Sequence, residues 1–331
     1  MRSALVPPIT PKSLGQDLCK AVAPWGQLNR WVSLGRFGSL GLVCLGSTAI
    51  AWQLNALGGF VFWTGVAAIA YGFWLVCIHD AVHQTLTGWR RVDLWLARSL
   101  AWPIAWPAGV YSELHGLHHR WNGRDLRDPE RIQWSRAEYQ AASPLRRWYV
   151  RHQWAWDILV AGALGLIWDI FRQGWTRRGN RPQVLPQMRL DVLGILLTHS
   201  SLLLWVSQTG AWAHYGLFWL IVTWIVGIMM QTRAHLEHYG RWQPQASPLL
   251  TQLYSARNVN GRCWVNWLMG GLPYHAVHHA FPHIPFEQLP QAYVAIQTVL
   301  QQHQQIPLTL EAGYWQTTIQ EIQHYSLIET Q

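Results

Sequence analysis

The chain is poor in charge. Asp, Glu, Lys and Arg make up 12% of its 331 residues, whereas an ordinary soluble domain carries about a quarter. The shortage is local: no such residue occurs between Arg36 and Asp80, nor between Asp191 and Arg233. Cysteine is also scarce. Cys19, Cys44, Cys77 and Cys263 have neither the close spacing of a thiolate metal site nor the density of a disulfide-stapled domain, which excludes both. No internal repeat and no Gly-x-Gly-x-x-Gly dinucleotide fingerprint is present. A mean hydropathy of +0.02 conceals the segregation of apolar from basic stretches, and a chain that is 50% hydrophobic is not intrinsically disordered.

What is abundant points to a bilayer. The chain holds 24 Trp, a residue that concentrates where hydrocarbon meets water. Each uncharged run is about forty residues long, twice the roughly 20 needed to cross a bilayer, so each reads as a helical hairpin. Asn55, Gly58 and Gly59 supply the first turn, leaving spans at about 37–54 and 60–78. Gln208, Thr209 and Gly210 break the second run, leaving spans at about 192–206 and 212–231. The fold class expected is therefore all-α integral membrane, with four transmembrane helices in two hairpins. None of the 25 Lys and Arg lies in a hairpin turn, so an N-terminal segment 1–36, the middle segment and a C-terminal segment 286–331 are expected on the cytoplasmic side of a membrane domain 37–285. The net charge of +9 then balances lipid headgroups, and no nucleic-acid partner is expected. Two apolar segments, 99–112 with Pro103 and Pro107, and 158–168 between Asp157 and Asp169, are too short to span and read as interfacial. No signal peptide is expected before Arg36.

Histidine is the second surplus. Eight of the 16 fall in three groups: His79 and His83 in HDAVH; His115, His118 and His119 in HGLHH; His275, His278 and His279 in HAVHH. A chance His-x-x-x-His is expected about once in such a chain, but His-x-x-His-His only about 0.04 times, and this chain has it twice. Spacings of three and four set the imidazoles of each group on one helical face. Eight neutral nitrogens exceed what one tetrahedral zinc can use, which favours two ions held close together. The groups follow the second span, occupy the middle segment and follow the fourth span, so all three fall on one side. His199 and His214 stand alone in the second hairpin and read as satisfied polar residues; His152, His303 and His324 read as solvated.

With these motifs in place, the sequence resembles the integral-membrane fatty acid desaturase and hydroxylase superfamily, whose three histidine boxes are matched in order by HDAVH, HGLHH and HAVHH. GGLPYHAVHHAFPHIP resembles the context of the third box, and Asp128-Pro129-Glu130 sits where acyl-lipid members carry Asp-Pro-Glu. The resemblance runs from about Phe60 to Pro290. It implies a cytoplasmic helical cap carrying a di-iron site, with the eight box histidines and a ninth after the fourth span as ligands. Spacing leaves both His235 and His238 open for the ninth; the Glu237-His238 pair resembles the one acyl-lipid members place here and favours His238. Asp80, Asp128, Glu237 and Asn266 are candidates to accept the second ring N–H of a ligating histidine.

The implied activity is O2-dependent desaturation of a fatty-acyl chain in a membrane lipid, with two non-haem Fe2+ ions as cofactors. The chain lacks a His-Pro-Gly-Gly haem motif as well as a dinucleotide fingerprint, so a separate electron donor such as a ferredoxin is implied. Ala234, not Asn, stands four residues before His238, a departure that argues against the acyl-CoA subgroup. The related carotenoid ring hydroxylases and ketolases are the alternative. A metal transporter or haem redox subunit, which needs polar residues or paired histidines within its spans, fits the pattern less well.

Overall fold

A computed structural model describes residues 11–329 apart from His324, and every regular element among them is helical. The main helices are α1 (Pro11–Val22), α2 (Arg30–Gln53), α3 (Leu57–Val82), α4 (Arg90–Ala101), α5 (Ala108–Trp121), α6 (Gly162–Arg177), α7 (Val184–Thr209), α8 (Trp212–His238), α9 (Pro248–Tyr254), α10 (His275–Ala280) and α11 (Leu289–Gln302). The expectation of a solvated His324 lies outside the described residues.

Both hairpins form. Asn29 caps α2, its side chain accepting from the Trp31 and Val32 amides at 3.2 and 3.4 Å, and extended residues near Leu54 separate α2 from α3. The helices run past the apolar boundaries: α2 starts at Arg30 and α7 at Val184, while α8 continues to His238. Three of the four charges that bracket the apolar runs, Arg36, Asp80 and Asp191, are paired inside the protein and do not end the helices. Arg36 and Asp80, at opposite ends of the first run, pair at 2.7 Å because the hairpin folds those ends together, and both are buried. Asp191 pairs with the buried Arg98 at 3.1 Å and also accepts from the Val110 amide at 3.0 Å. These contacts tie α7 to α4 and to the first turn of α5.

Helices α2 and α7 turn leucines outward: Leu42 is 76% and Leu197 60% exposed, a surface suited to lipid and unsuited to water. The hairpins meet along α3 and α8, where Gly72 leaves room for Met229. A separate apolar cluster joins α1, α9, α10 and α11 through Leu18, Leu253, Val277, Ile296 and Leu300.

The two short apolar segments behave differently from one another. Residues 99–112 do not form one element: α4 ends, a 3-10 turn at Trp102–Ile104 follows, and α5 starts after Pro107. Residues 158–168, in contrast, lie inside a helical run, Gln153–Arg177, making five helices among the described residues that are long and apolar enough to cross a membrane. The sequence expectation of four omitted this one because Asp157 and Asp169 interrupt it; Asp157 is matched by Tyr149 and His235, and Asp169 by Arg172. The run is not straight. It passes from a π-helical stretch, Trp156–Ala161, into α6 at Gly162, whose φ of +50° favours glycine. There the backbone presses on α8, so that a Cβ on Gly227 would sit 2.4 Å from the Ala163 amide nitrogen.

Removing one partner of a buried ion pair strands the other charge, at a cost of about 3–5 kcal/mol. Arg36→Leu is therefore expected to lower the thermal unfolding temperature of the purified protein in detergent sharply. The double variant Arg36→Leu/Asp80→Leu should recover part of the loss, whereas equal loss in both would show that the pair is not what holds the hairpin base.

Candidate metal centre

Four helical segments deliver the histidines. His79 lies in the last turn of α3 and His83 caps it; His115, His118 and His119 occupy the last two turns of α5; His238 is the last residue of α8; and α10 carries His275, His278 and His279. Three of these helices end at the cluster, and the partial negative charge of a helix C-terminus favours a cation there.

The nine rings fall into two groups. In the first, ligand atoms of His79, His83, His115, His119 and His278 all lie within 4.8 Å of one another. The His115 Nε2 is 3.0 Å from that of His83 and 3.1 Å from that of His119, which is 3.2 Å from that of His278. In the second, the His238 Nε2 is 3.1 Å from that of His118 and 3.0 Å from that of His275, which is 3.1 Å from that of His279. Two nitrogens about 2.1 Å from one ion and at right angles to each other are about 3.0 Å apart. The spacing therefore suits two cations, one within reach of five imidazoles and one within reach of four.

The opposite ring edges fix the tautomers. His115 Nδ1–H donates to Glu130 at 2.9 Å, His118 Nδ1–H to Asp128 at 2.9 Å, and His279 Nδ1–H to the Gln252 amide oxygen at 2.9 Å. An ionised carboxylate or amide oxygen only accepts, so in the neutral ring the proton sits on Nδ1 and the Nε2 lone pair faces the cluster. Asp128 is held by the Glu130 amide at 3.0 Å, and Gln252 is oriented by donating to the Asn122 carbonyl at 3.0 Å. Tyr111 stacks on His115 with ring centroids 4.9 Å apart.

Of the four residues expected to orient rings, Asp128 touches one. Asp80 pairs with Arg36 instead, because the hairpin brings that arginine closer than any ring. Asn266 lies in a short helix, Cys263–Leu268, with its buried side-chain oxygen unpaired and no bond to a cluster histidine. Glu237 approaches His275 to 3.4 Å. Sequence reasoning missed Glu130 and Gln252. The first was visible as the last member of Asp-Pro-Glu; the second sits in α9 with no local signal.

The two candidates after α8's apolar stretch separate cleanly. His235 has both ring nitrogens engaged away from the cluster, Nδ1 with the Gln231 carbonyl at 2.9 Å and Nε2 with Asp157 at 3.0 Å; His238 points into it. The isolated histidines are elsewhere. His199 bonds the Trp102 carbonyl at 3.2 Å, His214 packs edge-on against Phe60, His152 bonds the Trp148 carbonyl, and His303, expected to be solvated, bonds Asp17 at 3.0 Å.

Burial first, then neighbouring imidazoles, holds His83, His119, His275, His278 and His279 well below the ordinary histidine pKa, so these rings are neutral. Neutral imidazole is the metal-binding form. At His118 burial acts in the same direction but Asp128 and Glu130 outweigh it, raising the ring to about 9; the same carboxylates strengthen it as a donor to a cation. A cavity of about 520 Å³ opens beside the cluster, lined by His79, His115, His118, His238 and His275 and by Leu75, Ile78, Ile104, Val226 and Met230.

The geometry makes a paired test. His238→Ala should lose bound metal and activity, whereas His235→Ala should keep a measurable part of both, read by metal content per chain and product formation. The reverse pattern would exchange their roles.

No curated protein sequence matches the chain. A family model described as Fatty acid desaturase matches residues 54–307, which include all nine histidines of the centre. The chain belongs to the fatty acid desaturase family, and through that membership it is a membrane oxidoreductase.

Proposed function

We propose that the protein is a di-iron, O2-dependent enzyme that introduces a double bond into the fatty-acyl chain of a membrane lipid. The observation that carries this is the shared cavity. Its apolar lining residues Leu75, Ile78, Val226 and Met230 lie on α3 and α8, Ile78 next to His79 and the others about one to three turns before His79 or His238. A methylene chain entering among them loses contact with water and gains apolar surroundings, and it ends beside the imidazoles.

His79, His83, His115, His119 and His278 would hold one iron, and His118, His238, His275 and His279 the other. When bound, the iron pair supplies activation of dioxygen, which lets hydrogen be removed from unactivated carbon. The residues of the chain do the rest. Asp128, Glu130 and Gln252 keep protons on the outer ring nitrogens, and Arg36 with Asp80 fixes the end of α3. The apolar residues of the cavity orient the acyl chain.

In the overall reaction, one dioxygen, two electrons, two protons and two hydrogens from adjacent carbons give one double bond and two waters. The electrons must come from another protein, a small one-electron donor such as a ferredoxin. We read four spans, α2, α3, α7 and α8, because the break at Gly162 leaves pieces shorter than the roughly 20 residues a crossing needs. The centre then lies on the cytoplasmic face with most of the arginines.

The test is product analysis. Expressed with a ferredoxin in a host that makes saturated acyl lipids and carotenes, the protein should yield acyl lipids with one additional double bond by mass spectrometry. Oxidised carotenes with unchanged lipids would overturn this and identify a ring hydroxylase or ketolase.

A further inference from the structure

The two groups of histidines are unequal, five against four, and a carboxylate stands where the smaller group lacks a ligand. Glu237 is the penultimate residue of α8, 4% exposed, and its carboxylate oxygen lies within 4.8 Å of the ligand nitrogens of His238 and His275. The approach to the His275 Nε2 is 3.4 Å, longer than the roughly 2.7–3.2 Å of an N–H···O bond. Oε1 is buried without a hydrogen-bond partner. The guanidinium of Arg233, one turn earlier, approaches only to 3.8 Å, and its Nε is itself unpaired. A buried carboxylate left in this state is costly. A cation between this carboxylate and the His238 and His275 rings removes that penalty.

We propose that Glu237 is a direct ligand of the four-histidine centre, completing a set of four imidazoles and one carboxylate beside a set of five imidazoles. The inference rests on the two-metal reading above. Its consequence is that the two ions are chemically different. The five-imidazole ion has only neutral ligands, whereas the other gains a hard, anionic oxygen that offsets part of its charge and favours its oxidised state.

The experiment uses the full-length protein in detergent, loaded with 57Fe. Metal content is measured during chelator titration, and Mössbauer spectra are recorded for the wild type, Glu237→Gln, Glu237→His and Arg233→Gln. The wild type should hold two irons in two distinguishable environments. Glu237→Gln should bind one of them at least about tenfold more weakly, with one Mössbauer component altered and the other unchanged. Glu237→His, which offers a nitrogen donor, should restore the second iron, and Arg233→Gln should retain both.

Two irons held with wild-type affinity and unchanged spectra in Glu237→Gln would overturn the proposal. So would loss of the second iron in Arg233→Gln with no rescue by Glu237→His, since Glu237 would then act through its ion pair. Arg233→Gln and Glu237→His remain informative where Glu237→Gln fails to fold. A wild type that binds no pair of irons would instead refute the two-metal reading itself.

Discussion

Imidazole lone pairs repel one another, and in a dry interior no water intervenes to soften the repulsion. Here ring nitrogens of His83, His115, His119 and His278 stand 3.0–3.2 Å apart in a chain, and those of His118, His238, His275 and His279 are equally close. Burial keeps the second proton off most of these rings, so charge-assisted bonding between them does not account for the convergence. A pair of cations would. Much of the surrounding structure reads as the means of holding donors in this otherwise unfavourable arrangement.

The means are mainly buried polar contacts at the ends of helices. Arg36 spans three segments: it pairs with Asp80 beside His79 and donates to the carbonyls of Trp267 at 2.6 Å and Leu268 at 2.9 Å, just ahead of α10. One guanidinium thus fixes the first histidine group relative to the third. Arg98 and Asp191 play the corresponding part for α5, whose first turn is held by Asp191 and whose last turns carry the second group. Asp128 and Gln252 then set individual rings. The hydrophobic effect brings the hairpins together, but it is non-directional, and the ring geometry needs these directional contacts.

Local features of this design were legible in the sequence and long-range ones were not. The three histidine groups could be read because spacings of three and four place donors on one helical face. The hairpins could be read because charge is absent for long stretches. The choice between His235 and His238 depends on Asp157, 78 residues from His235, and no periodicity reveals that contact. Asp80 looked like a support for a ring because it adjoins His79, yet Arg36 takes it. Gln252 carries no motif at all. That the interfacial segment 158–168 belongs to a longer helical run, Gln153–Arg177, was not legible because Asp157 and Asp169 look like ends of a segment until their partners are known.

The most direct test of the account is to locate the metals. Anomalous diffraction from crystals of the iron-loaded protein, measured on both sides of the iron absorption edge, should give two peaks. One should lie among His79, His83, His115, His119 and His278, and the other among His118, His238, His275 and His279. A single peak, or two peaks away from these rings, would contradict it.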